Sequence, residues 1–126
     1  MKHIIATEKA PAAIGPYNQA VAVGNMVYTS GQIPLKAENG EVLDGDIAAQ
    51  TELVMENLKA VLDKAGCTMA DIVKTTCFLS DMGNFGVFNE VYGRYFEDQP
   101  PARSCVAVKT LPKNVLVEVE AVAFKE

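Results

Sequence analysis

An arginine follows two prolines in the run Pro100-Pro101-Ala102-Arg103-Ser104-Cys105, and an apolar strand, Val106 to Val108, comes directly after it. The prolines restrict φ and bias the chain toward an extended path, which fixes where the side chain of Arg103 leaves the backbone. A guanidinium is a planar fork of donors suited to a carboxylate or a phosphate. Downstream, Val115 to Phe124 alternates so that Glu118 and Glu120 share one face with Leu116, Val122 and Phe124, while the opposite face is wholly apolar. A glutamate held among apolar neighbours has its acidity shifted toward acid–base work. The bland alternatives are a solvated arginine at a strand edge and two exposed glutamates. Pattern alone does not choose between Glu118 and Glu120. Tyr17, after Gly15-Pro16, and Asn89 are further polar candidates, each with packing or capping as its plain reading.

Other chemistries find less support. Ser30 lacks the Gly-x-Ser-x-Gly elbow of a hydrolase nucleophile. Cys105 lies near the arginine, but a Cys–His pair would need His3, the single histidine; its backbone N–H is the more useful group. Cys67, Cys77 and Cys105 have no metal-ligand spacing, and Gly24, Gly31 and Gly40 are spaced for turns rather than for a phosphate loop.

These candidates must be carried by a β-β-β-α-β-α-β-β order. Ile4 to Thr7 is a short strand. Gln19 to Val23 and Met26 to Ser30 flank a Gly24-Asn25 hairpin turn, and Pro34 to Asp46 is a polar loop. Asp46 caps a helix to about Ala65, with Ile47, Val54, Leu58, Val61, Leu62 and Ala65 on its apolar face and Gly66 ending it. Ile72 to Leu79 has the β-branched density of a buried strand. A second helix, about Asn84 to Phe96, turns Phe85, Phe88, Tyr92 and Tyr95 toward the core and exposes Glu90 and Arg94 as an i,i+4 pair. Leu111 to Asn114 joins the last two strands. The expectation is an α+β fold, one mixed sheet covered on one side by two helices. Two helices cannot cover both faces, so another copy of the chain is the simplest cover for the second.

With 126 residues, 49% of them apolar and 21% charged, the chain fits a single domain, residues 1–126. Net charge is −5 and there is no basic stripe, which weighs against nucleic acid as a partner. Met1 to Thr7 lacks the apolar core of a signal peptide, and no stretch reaches the roughly 18 apolar residues of a membrane span. Free cysteines suit a reducing compartment. A cytoplasmic soluble protein is the expectation.

The same residues fall in stretches that closely resemble the RidA family, also called the YjgF family, of reactive-intermediate deaminases. They are APAAIGPYNQAV (10–21), VYTSGQIPL (27–35), DIVKTTCFLSDM (71–82), FNEVY (88–92), PPARSCVAV (100–108) and VEVEAVA (117–123). The resemblance covers essentially the whole chain. It implies a chorismate-mutase-like (YjgF-like) fold and a homotrimer with active sites between subunits. It also implies hydrolysis of 2-imino acids such as 2-iminobutanoate and 2-iminopropanoate, derived from enamines released by pyridoxal-phosphate enzymes, to 2-keto acids and ammonia. No cofactor and no metal is implied. By the same resemblance Arg103 grips the substrate carboxylate and Glu118 handles water as the second catalytic group. Tyr17, Ser30, Asn89 and Cys105 line the cleft. The rivals are a ribonuclease or translation inhibitor, an activity of the wider family, and a non-enzymatic ligand-sensing or chaperone-like module. Net charge opposes the first, and the pairing of a clamp with a water base opposes the second.

Overall fold

The computed structural model describes all 126 residues. Six strands, β1 (Lys2–Ile5), β2 (Ala20–Val23), β3 (Met26–Thr29), β4 (Ile72–Leu79), β5 (Ala102–Ala107) and β6 (Val117–Phe124), form one sheet in the order β1-β2-β3-β6-β4-β5. Only β4 and β5 run parallel; every other neighbouring pair is antiparallel. Helices α1 (Ile47–Lys64) and α2 (Phe85–Gly93) lie against one face. The α+β architecture with two helices on a mixed sheet is as expected from sequence.

One apolar cluster joins the layers. Val54, Met55, Leu58, Val61 and Leu62 of α1 and Phe88 of α2 meet Val27, Cys77, Leu79, Val117, Val119 and Ala123 of the sheet. Each large aliphatic side chain withdrawn from water there contributes about 1.5–3 kcal/mol. Asp46 caps α1 by accepting from the Ala49 N–H at 2.9 Å, a bond of the kind that contributes about 1 kcal/mol. Gly66, at φ +84°, turns the chain away after the helix.

Several boundaries differ from the sequence-based expectation, each for a local reason. The first strand lies at Lys2–Ile5 rather than Ile4–Thr7. Thr7 leaves the ladder because Gln19 takes both its backbone groups, Oε1 accepting from Thr7 N at 2.6 Å and Nε2 donating to Thr7 O at 3.1 Å. Gln19 is therefore a buried strut under the 7–11 loop, not a strand residue. The last strand starts at Val117 because Val115 N donates to Pro112 O and Leu116 N to Gln50 Oε1. Helix α2 ends at Gly93; Arg94, Tyr95 and Phe96 continue only with i→i−3 bonds that tighten the last turn. The expected Glu90–Arg94 pair is present at 3.4 Å on the exposed side.

The strand after the double proline begins at Ala102, not at Val106. It pairs in parallel with β4 from Ala102↔Lys74 to Ala107↔Leu79, so Arg103 is inside a strand and its direction is set by pleat alternation.

The sheet face away from the helices is open. Ile4, Val23, Tyr28, Val106 and Phe124 share it, with between 42% and 53% of each residue exposed. This is the uncovered, partly apolar face that counting helices predicted. No helix is long and apolar enough to cross a membrane.

Candidate functional site

The residues singled out from sequence separate into two groups on opposite faces of the sheet. In the parallel ladder Arg103 stands opposite buried Thr75, and Cys105 opposite buried Cys77. Both side chains therefore point toward the helices. Glu118 stands opposite Phe78, and Glu120 opposite Thr76, on the open face.

On the helix side, Arg103 occupies the edge strand β5, paired on one side only. Its Nη1 donates to Asn89 Oδ1 at 2.7 Å, and the guanidinium carbon lies 5.0 Å from the ring centre of Tyr92 and 5.4 Å from that of Phe85. No carboxylate pairs with it, since the chain's one ion pair is Glu90–Arg94. The positive charge is thus oriented but not cancelled. Burial pushes the Cys105 thiol up while Arg103 draws it down, with burial the larger influence. Burial also pushes Cys77 up to about 12. His3 sits on β1, the opposite edge of the sheet from β5, so a Cys105–His3 pair does not form within the chain.

On the open side, Tyr17, Ser30, Gly31, Glu118, Glu120 and Lys113 help to line a cavity of about 660 Å³. Two backbone bonds, Gln32 N to Val119 O at 2.8 Å and Val119 N to Gln32 O at 3.1 Å, pin the 30–32 segment beside β6. The Ser30 hydroxyl donates to Asn18 O at 2.6 Å, leaving its lone pairs free to accept from a ligand. Tyr17 follows the turn at Gly15, φ +117°, and its ring stands exposed near the cavity mouth.

Glu118 is half-buried and Glu120 exposed. Burial, and then the neighbouring charge of Glu120, hold the Glu118 carboxyl above the usual carboxylate range. The two glutamates that pattern could not rank are thus placed in different environments.

Gly31 went unrecognised from sequence, where it reads as a turn residue. Its φ is not left-handed. A Cβ added there would run into Glu118 Oε2 and come within 2.8 Å of Cδ, so the glycine makes room for the carboxylate. The segment Lys113-Asn114 carries no sequence signal beyond that of a loop; both residues are left-handed, at φ 56° and 55°, and bring Lys113 to the cavity wall. Tyr92 is buried in the core as its position on the helix predicts, while Phe85 is half-buried against it; both rings also lie over Arg103. A stripe at i, i+4, i+7 containing Asn89 was the available signal.

The fold is an α+β domain with two half-sites, one an unpaired guanidinium and the other a glutamate-lined cavity. The chain belongs to the RidA (YjgF) family: the family model described as Endoribonuclease L-PSP matches residues 7–125. A 2-iminobutanoate/2-iminopropanoate deaminase of Escherichia coli is 49% identical over 128 residues, covering 99% of each chain. A RutC family protein of Pyrococcus abyssi is 52% identical, over 99% of this chain and 98% of its own. Among solved structures, E. coli TdcF with bound serine superposes with a TM-score of 0.94 at 46% identity, covering 98% of this chain and 99% of that one.

Proposed function

We propose that this protein is a cofactor-independent imine hydrolase acting on small 2-imino acids of the 2-iminopropanoate and 2-iminobutanoate class. The observation that carries the reading is Glu118, half-buried in the wall of a ligand-sized cavity with its proton affinity raised. Such a carboxylate, held above the usual carboxylate range, is better suited to exchange a proton with water than an ordinary surface glutamate.

The net reaction is R–C(=NH2⁺)–COO⁻ + H2O → R–CO–COO⁻ + NH4⁺. Arg103 holds the carboxylate through paired N–H bonds and so fixes C2. Glu118 takes a proton from water as the oxygen adds to C2, giving a carbinolamine. It returns that proton to nitrogen, the C–N bond breaks with its electron pair leaving on nitrogen as ammonia, and the hydroxyl proton passes through the Glu118 carboxylate to that ammonia, giving NH4⁺, as the carbonyl forms. Tyr17 and Ser30 border the space beside Glu118. The backbone around Cys105, rather than its thiol, orients the polar end of the substrate. Because the imine carbon is already electrophilic, no covalent nucleophile is needed.

Arg103 and Glu118 of one chain lie on opposite faces of the sheet, so one small substrate cannot touch both. We infer a homotrimer in which the β5 edge of one copy, carrying Arg103, closes the Glu118 cavity of the next. The exposed apolar side chains of the open face supply the contact. A cytoplasmic setting, where dehydratases release enamines, is part of the proposal. The two glutamates beside the cavity and the net charge of −5 oppose binding of a phosphodiester chain, which disfavours the ribonuclease reading.

The test generates 2-iminopropanoate in situ from an amino acid and an oxidase, then follows its decay. Decay accelerated in proportion to added protein, and lost in Glu118→Gln, is the expected result. A decay rate equal to that in buffer overturns the assignment.

A further inference from the structure

Arginines that must hold a fixed direction are commonly braced by a carboxylate, which also spends their charge. Arg103 is braced without one. Phe85, Asn89 and Tyr92 are spaced i, i+4 and i+7 on α2 and therefore share a stripe, and all three meet the guanidinium. Asn89 Oδ1 accepts one of its five N–H donors at 2.7 Å, while the two rings lie 5.0 and 5.4 Å from its carbon.

The clamp is itself anchored. The Tyr92 hydroxyl shares a buried 2.7 Å hydrogen bond with Thr75 Oγ1, and Thr75 is the residue opposite Arg103 in the parallel ladder. The contacts close into a ring. It runs from Arg103 across the β4–β5 ladder to Thr75, through the Thr75 side chain to Tyr92, and from the Tyr92 ring back to the guanidinium. Every bracing group is uncharged, so the cation keeps its full charge and four N–H donors for a ligand.

We propose that Tyr92, tethered by Thr75 and assisted by Phe85, is a positioning residue that aims Arg103 at the substrate carboxylate through an uncharged aromatic clamp. This rests on the imine-hydrolase reading for the substrate's identity, but not for the clamp's action on a carboxylate. Tyr92 acts on Arg103 and not on the reacting atoms, so its removal degrades binding of any small carboxylate and leaves the proton-transfer step nearly unchanged.

A double-mutant cycle on the full-length protein tests this, with Tyr92→Leu, Arg103→Lys and the double variant. It reads the calorimetric Kd for 2-oxobutanoate, and KM and kcat for 2-iminopropanoate. Losing a desolvated cation–π contact at an anchored ring should weaken Kd and raise KM about 10-fold in Tyr92→Leu, with kcat nearly constant. In the Arg103→Lys background the same change should add little, because the planar fork that the ring orients is already gone. Tyr92→Phe keeps the ring and should retain most of the affinity. Equal losses in both backgrounds, or a fall in kcat alone, overturn the clamp. If Tyr92→Leu does not fold, Phe85→Leu at the half-buried end of the stripe takes its place, with a smaller loss again suppressed by Arg103→Lys. Wild-type protein that binds 2-oxobutanoate through Arg103 yet hydrolyses no imine refutes the deaminase reading and leaves the clamp standing. Failure of the wild type to bind the carboxylate refutes the clamp.

Discussion

Glu118 and Glu120 are one pleat pair apart, about 7 Å along the strand, and their environments separate what their chemistry shares. Glu118 faces a cavity wall with Gly31 against its carboxylate, whereas Glu120 is exposed. Glu118→Gln should cut kcat by about 10²–10⁴-fold, the usual contribution of a general acid–base group, with Glu120→Gln much milder. Larger loss at Glu120 in a side-by-side assay would transfer the role to it. The pH dependence follows from the raised Glu118 pKa. As base, Glu118 must be ionised, so kcat/KM should fall with an acid limb above the ordinary glutamate range. Glu120→Gln should move that limb to lower pH by removing the second cause of the shift. A limb unmoved by that change would show that burial acts alone. The stability sign is fixed too. A folded-state pKa above the unfolded one means that the fold favours protonated Glu118, a contribution present at low pH and lost as pH rises through the raised value. Glu118→Gln should therefore raise Tm at neutral pH while abolishing turnover, a trade between stability and activity. Gly31→Ala should displace the Glu118 carboxylate and lower kcat with the protein still folded; unchanged kinetics would mean the carboxylate has room to move. Arg103 was legible from side-chain chemistry and pattern, whereas pattern left Glu118 and Glu120 unranked and only the family resemblance singled out Glu118. Gly31 was not legible, because its role is a close approach across the sheet that no local signal records.

At the scale of elements, helix α1 was readable because its apolar period, its Asp46 cap and Gly66 all agree on the same ends. Truncating its centre, Leu58→Ala, should cost about 2–5 kcal/mol, since this fully buried side chain joins helix and sheet in one cluster. Denaturant unfolding measures that loss, and a cost below about 1 kcal/mol would mean that the site collapses around the gap. The strand ends were less legible. Gln19 diverts Thr7 from the ladder and Gln50 takes the Leu116 N–H, and both are contacts between distant parts of the chain. Strand β5 was placed too late because Ala102 to Cys105 shows no apolar alternation; parallel pairing with β4 makes it a strand. That shift matters most for function, since it decides on which face Arg103 emerges.

For the whole molecule, the sheet is a partition. The guanidinium and its clamp lie on the helix side, the glutamate and its cavity on the open side. An open face bearing Ile4, Tyr28, Val106 and Phe124 gives the chain a reason to assemble, and light scattering should return a mass near three times 13.5 kDa. A stable monomer would contradict the assembly. Mass alone does not show that the site is shared. Mixing Arg103→Lys and Glu118→Gln chains, unfolding them together and refolding tests that directly. Each variant alone should be nearly inactive. A cyclic trimer of randomly mixed chains should recover roughly one quarter of the wild-type rate, because each head-to-tail interface pairs an intact Arg103 with an intact Glu118 in about one arrangement out of four. If both groups acted from one chain, no mixed assembly would contain a complete site, and a co-refolded mixture no more active than its parents would contradict a catalytic centre shared between copies.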